Sequence, residues 1–234
     1  MNADFDPFTL LLLAGAAIMM WKLKSVLGSK TGFERKSGED HPWQPSAKRE
    51  NAKSDGPQNQ PVENPTLAEP PKPIWEGFAK EDSPMAKSLE KISGLDPSFS
   101  MTSFMAGVKS AYEMIVENFA AGNKANLKPL LSADIFDGFV KEIDRRNQAG
   151  EKTSLQFVGI NKADLYDVRL DGNMTTLTLR FASEMISATT DKSGKVLSGH
   201  QTNVRQIEDI WSFERNMTSR NPNWQLSATD DPFE

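Results

Sequence analysis

The chain contains no cysteine, which excludes disulfides, thiolate catalysis and cysteine-based zinc sites together. Histidine is nearly absent: His41 sits in a proline-rich stretch and His200 in a predicted strand, so the pair cannot form a metal cluster. No Gly-rich phosphate loop, nucleophile elbow or carboxylate pair at catalytic spacing occurs. An excess of basic residues is missing too. The formal charge of −5 argues against a dedicated nucleic-acid binder, whose face is normally strongly basic. No metal, cofactor or catalytic residue is therefore expected, and the chain reads as a non-enzyme. Asp164, Asp167, Asp209, Tyr166 and His200 are the conceivable acid–base residues on the predicted sheet. On a half-exposed sheet such residues are usually solvated or ion-paired. A pocket enzyme, with a raised-pKa carboxyl inside an apolar cavity, is the lesser alternative.

Long hydrophobic runs are also lacking, with one exception. Phe8 to Trp21 is strongly apolar and runs into Lys22, Lys24, Lys30, Arg35 and Lys36. A helix over this run is about 21 Å long, short of a hydrocarbon core of about 30 Å. Extending it from Phe5 to Leu23, with Lys22 and Lys24 snorkelling, gives about 28 Å. Phe8, Leu11, Leu12, Ile18 and Trp21 then face lipid, with Trp21, Lys22 and Lys24 at the interface. A cleaved signal peptide is the rival, because Ala14-Gly15-Ala16 is a small-residue site. Yet Asp4 and Asp6 replace the basic n-region, and apolar residues continue past the cut. An ordinary core helix is the third reading. The retained helix is preferred, and the positive-inside rule puts everything after Lys22 in the cytoplasm.

Residues 1–28 are thus expected to be a membrane anchor, and residues 29–82 a flexible linker. The linker holds Pro42, Pro45, Pro57, Pro61, Pro65, Pro70, Pro71 and Pro73 among polar residues. It has too little apolar area to offset chain entropy. Some fifty such residues span about 40 Å, which makes a tether. Trp43 and Ile74-Trp75-Glu76-Gly77-Phe78 read either as docking motifs or, preferably, as aromatics that fold back or do nothing.

Residues 83–234 carry the folding pattern. Ser83-Pro84 opens a short helix, with Gly94 as its stop and Met85, Leu89 and Ile92 on one face. That face fits a membrane surface or, preferably, the rest of the domain. Met101, Phe104, Met105, Val108, Tyr112, Ile115, Val116 and Phe119 recur at helical spacing up to Gly122. A third helix starts at Ser132 or Asp134 and carries Phe136, Phe139, Val140 and Ile143. Arg145 and Arg146 in its last turn complement the helix dipole, in preference to an acidic-partner site.

From Lys152 the period becomes two. A strand is expected over Ser154–Leu170 with a break at Lys162-Ala163, then a turn at Asp171-Gly172-Asn173. Leu177, Leu179 and Phe181 alternate with polar residues. Asp191–Gly194 turns the chain into one long run, Val196 to Arg215, and Trp224-Gln225-Leu226 begins a last strand. Runs this long imply bulges and curvature. The fold class is α+β, with helices laid into the concave side of a curved antiparallel sheet.

Ser100 to Gly122, Leu127 to Leu131, Glu208 to Arg215 (Glu-Asp-Ile-Trp-Ser-Phe-Glu-Arg) and Asn221 to Leu226 (Asn-Pro-Asn-Trp-Gln-Leu) resemble the Tim44-like domain family. Ser25 to Gly32 is similar to the Ser-Val-Leu-Gly-x-x-Thr-Gly element that follows the membrane helix of bacterial members. The resemblance implies a fold similar to the nuclear-transport-factor-two group, cone-shaped with a large apolar pocket and lipid affinity. It also implies kinship with the mitochondrial inner-membrane translocase subunit that gives the family its name. The expected function is a single-pass adaptor of the bacterial inner membrane, its domain cytoplasmic, binding a protein partner or membrane lipid and linked to translocation or complex assembly. A lipid-binding module is the alternative. By periodicity, Val108, Tyr112, Ile115, Phe139, Leu179, Phe181, Trp211 and Phe213 are the pocket candidates, although the same residues equally make an ordinary core.

Overall fold

The computed structural model describes residues 72–230. The expected anchor (Phe8–Leu23), the Ser25–Gly32 element, His41, Trp43 and the linker up to residue 71 lie outside the described residues. No helix among the described residues is long and apolar enough to cross a membrane.

Packing begins earlier than Ser83. A turn closed by Phe78 N–H and Ala79 N–H to the Trp75 carbonyl brings Ile74, Trp75 and Phe78 against the core. The Trp75 indole N–H donates to Glu90 at 2.9 Å. These aromatics fold back on the domain. Helix α1 (Pro84–Leu95) follows, with the Ser83 hydroxyl accepting from the Ala86 N–H at 3.1 Å. It continues through Gly94 by one residue. Ala86, Leu89 and Ile92 are buried beside β1, so the apolar face meets the protein and not a membrane.

Helix α2 (Met101–Ala121) is the spine of the domain. Every residue of its predicted stripe is buried, from Met101 to Phe119. Gly122 ends it at φ +70, a left-handed conformation that costs glycine nothing. A four-residue helix, α3 (Lys124–Leu127), leads to α4 (Ala133–Ala149). The buried stripe of α4 is Ile135, Phe139, Ile143 and Arg146, with Phe136 and Val140 only half-buried.

Strand β1 (Lys152–Asp171) pairs along its whole length with β2 (Met174–Thr190). Three register shifts let twenty residues oppose seventeen. They fall between Phe157 and Gly159, between Ile160 and Lys162, and between Leu165 and Asp167. The predicted break at Lys162-Ala163 is therefore a bulge in a continuous strand. Each extra residue resets the alternation, so Leu155, Phe157, Ile160, Ala163, Leu165 and Val168 all keep to the packed side despite uneven spacing.

The expected single run from Val196 to Arg215 is two strands, β3 (Val196–Gly199) and β4 (Arg205–Asn216), on the same edge of β2. Gly199 explains the interruption. It has φ +73, and an added Cβ would lie 2.2 Å from the Ser187 carbonyl oxygen. The polar residues His200 to Asn203 that follow have no apolar side chain to bury. Strand β5 (Gln225–Asp230) completes the order β1-β2-β4-β5. Its other edge is tied to the α3–α4 connection by Ser132 N–H to the Leu226 carbonyl and Leu226 N–H to the Leu130 carbonyl.

Arg146 has a more specific role than a dipole partner. Its guanidinium donates to the Phe119 carbonyl at 2.6 Å and to Thr153 Oγ1 at 3.0 Å, and sits 4.5 Å over the Phe119 ring. It thus ties the end of α2 to α4 and β1. Its neighbour Arg145 is exposed and forks between Glu142 and Glu151, both at 2.8 Å. A lysine cannot serve two divergent acceptors and stack at once. Arg146→Lys is expected to cost about 1–3 kcal/mol, whereas Arg145→Lys costs under about 1 kcal/mol, as urea denaturation of both variants checks.

Candidate functional site

All eight pocket candidates are buried, but they do not share one cavity. Val108 and Phe213 line a cleft beside α2. Tyr112, Phe181 and Trp211 instead pack ring against ring at 4.5–6.1 Å between α2 and the sheet. Phe139 sits 4.7 Å from Phe119 between α4 and α2, and Ile115, Leu179 and Phe181 have no exposed surface. These six fill the core.

The cleft has a volume of about 440 Å³, in the range of small-ligand and peptide pockets. One wall is a face of α2: Ser100, Ser103, Phe104, Gly107, Val108, Ala111 and Met114 recur at three- and four-residue spacing, about 21 Å of helix. Opposite stand Pro129 and Leu130 from the α3–α4 connection and Pro222, Asn223 and Trp224 from the approach to β5. Phe99, Phe104 and Trp224 form an aromatic cluster with centroids 4.8–6.1 Å apart.

Gly107 is the informative residue of this wall. It lies mid-helix, where glycine costs about 0.5–1 kcal/mol relative to alanine. A Cβ added there would meet nothing within 4 Å, so packing does not demand its absence. The glycine adds no side chain to this wall of the cleft.

One end of the cleft is charged. Arg215 donates to Asp96 Oδ2 at 2.8 Å, and both side chains are largely buried, at 11% and 13% exposure. The Ser98 hydroxyl, 2.5 Å from Asp96 Oδ1, does most to hold this carboxyl below the usual range, with the Ser98 N–H and Arg215 adding to it against the opposing effect of burial. The Asp96 carboxylate is therefore ionised and the pair is a fixed dipole. Arg215 Nε is buried without a partner of its own. A second cavity of about 480 Å³ lies where Phe78, Pro84 and Met85 meet Leu165 and Val168 of β1.

The acid–base residues are scattered. Asp164 pairs with Lys162, Asp167 with Arg169, and Tyr166 and His200 are exposed. Asp209 departs from the expectation of a solvated carboxylate, because it is only 4% exposed and faces the helices. Tyr112 donates its hydroxyl to Asp209 Oδ2 at 2.5 Å, and Ser183 Oγ lies 2.9 Å from the same hydroxyl. Tyrosine has one proton, which goes to Asp209, so Ser183 is the donor to the phenol oxygen. Burial first, then the Asp209 charge, pushes the Tyr112 hydroxyl far above its ordinary value. Neither this triad nor any group of His, Asp and Glu among the described residues could hold a metal ion.

Sequence reasoning missed Gly107, Trp224, Phe99 and the Asp96–Arg215 pair. The signal for the cleft wall was present: Ser103, Gly107 and Ala111 are small residues four apart, next to the large stripe of Phe104 and Val108. The Asp96–Arg215 pairing, across most of the domain's sequence, left none.

The fold and cleft define an α+β domain in which one long helix crosses a bulged antiparallel sheet and leaves an apolar cleft along its side. The chain belongs to the Tim44-like domain family, whose model matches residues 85–231. Among curated proteins it is similar to the mitochondrial import inner membrane translocase subunit TIM44-1 of Arabidopsis thaliana, with 21% identity over 140 residues. That match covers 60% of this chain and 29% of the relative, so most of the relative's length has no matched stretch here. Among solved structures, the intermembrane-space region of the chloroplast protein ARC6 aligns at 12% identity with a TM-score of 0.39, over 57% of this chain and 97% of that one. A conserved protein from Planctomyces limnophilus DSM 3776 aligns at 14% identity with a TM-score of 0.34, over 56% and 95%.

Proposed function

We propose that this chain is a translocation-associated adaptor, held at a bacterial inner membrane by Phe8–Leu23 with its domain on the cytoplasmic side. Its α2 cleft takes an apolar segment of a protein partner. The observation that carries the reading is Gly107: a mid-helix glycine with no packing reason, on the wall of an apolar cleft with a charged end. The relationship to an import translocase subunit supports the translocation context. A bulged sheet crossed by one long helix also supports likening the fold to the nuclear-transport-factor-two group. The chain works by binding and not by catalysis, because its buried polar cluster at Asp209 is sealed inside the aromatic core. A lipid acyl chain is the alternative occupant, favoured by the phenylalanine, valine and methionine lining.

Two substitutions at one position test this. Gly107→Ala is expected to raise stability by about 0.5–1 kcal/mol and leave the cleft usable. Gly107→Trp is expected to fold equally well and fill the cleft, so that crosslinking in intact cells no longer recovers the protein partner. Crosslinked partners unchanged in the tryptophan variant would refute the cleft as the docking site. Recovery of lipid, and no protein, lost in the same variant would establish the alternative.

A further inference from the structure

Exposed apolar side chains are unevenly distributed over the domain. Val196, Leu197 and Val204, at 41%, 49% and 53% exposure, fall within one short stretch of β3 and the loop after it. That stretch has a distinctive charge pattern. Between Asp191 and Glu208 the charged residues are Lys192, Lys195 and Arg205, with no acid among them. Lys192 and Lys195 are exposed on the turn that joins β2 to β3. The register puts Lys152 at the same end of the sheet, since it pairs with Thr190, as Val196 does. The acids nearest in sequence are engaged. The Asp191 carboxylate accepts from the Ser193 N–H, the Ser193 hydroxyl and the Lys195 N–H, and Glu151 pairs with Arg145.

We propose that the β2–β3 hairpin and the loop up to Val204 form a second bilayer contact, selective for anionic headgroups. Exposed aliphatics between cations are what an anionic interface takes: the side chains enter the headgroup boundary while the lysines stay with the phosphates. An acidic protein surface would satisfy the lysines and leave the three aliphatics in water. The bilayer source follows from the proposed tether, on which this inference rests. Attachment at a single point does not by itself set the orientation of the domain. A second contact at one end of the sheet fixes which way the cleft faces.

The absence of cysteine makes the test clean. In the full chain, Leu197→Cys and, separately, Met174→Cys each carry a single polarity-sensitive dye, Met174 being exposed at the opposite end of β2. Vesicles of phosphatidylcholine alone, or mixed with phosphatidylglycerol, are then added. The dye at 197 is expected to shift to the blue with the mixed vesicles only, and to return at high salt, while the dye at 174 stays unchanged. Lys192→Gln with Lys195→Gln lowers the apparent partitioning into this bound state about 25-fold, about five-fold for each cation near the surface. Val196→Ser weakens it without changing its salt dependence. Equal shifts with phosphatidylcholine alone, equal shifts at both positions, or indifference to the glutamine pair would overturn the hairpin contact. Resistance of the unlabelled chain to alkaline carbonate reads the anchor separately. A chain that resists carbonate but shows no salt-sensitive shift loses the hairpin alone. A chain released by carbonate that still shows the shift loses the anchor alone.

Discussion

Trp211→Ala is expected to cost the folded domain about 3–5 kcal/mol, and Phe181→Ala a similar amount. Both side chains are at most 1% exposed and both rings pack against Tyr112, so truncation opens a void that the close-packed sheet and α2 cannot collapse into. At about 2–4 °C per kcal/mol for a domain of this size, the melting temperature should fall by about 6–20 °C. Trp224→Ala provides the contrast. That ring is half-buried on the wall of the α2 cleft, where solvent or a ligand already stands on one side. Its truncation should cost less stability and impair partner capture more. Thermal unfolding followed by near-ultraviolet circular dichroism, with crosslinking in parallel, separates the two roles. Equal losses of stability at Trp211 and Trp224 would contradict the division into filled core and open cleft.

That division marks how far the sequence could be read. Period and punctuation were enough for the elements. The stripe of α2 matches burial residue for residue, and Gly122 stops the helix where a left-handed residue is needed. Even the bulges of β1 had a trace, because Phe157, Ile160 and Ala163 stand three apart in a strand where two is the rule. Periodicity reports which side of an element is buried, and it is silent on whether the burial is against protein or beside a cavity. Hence periodicity points to the largest apolar residues, whereas the cleft is lined mainly by small residues on α2 and by irregular segments around Phe99, Pro129 and Trp224. Irregular backbone has no period, and its placement depends on contacts distant in sequence such as Arg215 with Asp96.

Charged residues show the same limit. Asp209 shares its face of β4 with Ile207, Trp211 and Phe213, so the period points it inward, but nothing in the period names Tyr112 as the group that holds it there. Arg146 reads as a cation at a helix end, and it is that, but the carbonyl it caps belongs to α2 and not to its own helix. In both cases the residue type was informative and the partner was not, since the partner is set by the tertiary pairing of elements.

Tyr112→Phe is the sharpest test of the buried network. The variant keeps the ring and its stacking and loses the hydroxyl, and with it the bond accepted from Ser183 and the one donated to Asp209, the latter a hydrogen bond to a charged group worth about 1.5–3 kcal/mol. The pH dependence carries a distinct signature. The folded-state pKa of Tyr112 lies above its unfolded value of about 10, so the stabilisation is fully present below pH 10. Above it the unfolded chain releases the proton while the folded protein retains it, and stability falls with rising pH at about 1.4 kcal/mol per pH unit for one proton. Tyr112→Phe lacks that term. The gap between the parent and the variant should therefore be constant from neutral pH to about 10 and close progressively beyond it. Urea denaturation across that range measures the gap directly. A gap that stays constant well into alkaline conditions would mean that the Tyr112 hydroxyl ionises as readily in the folded protein as in the unfolded chain, and the clamp on Asp209 would have to be abandoned.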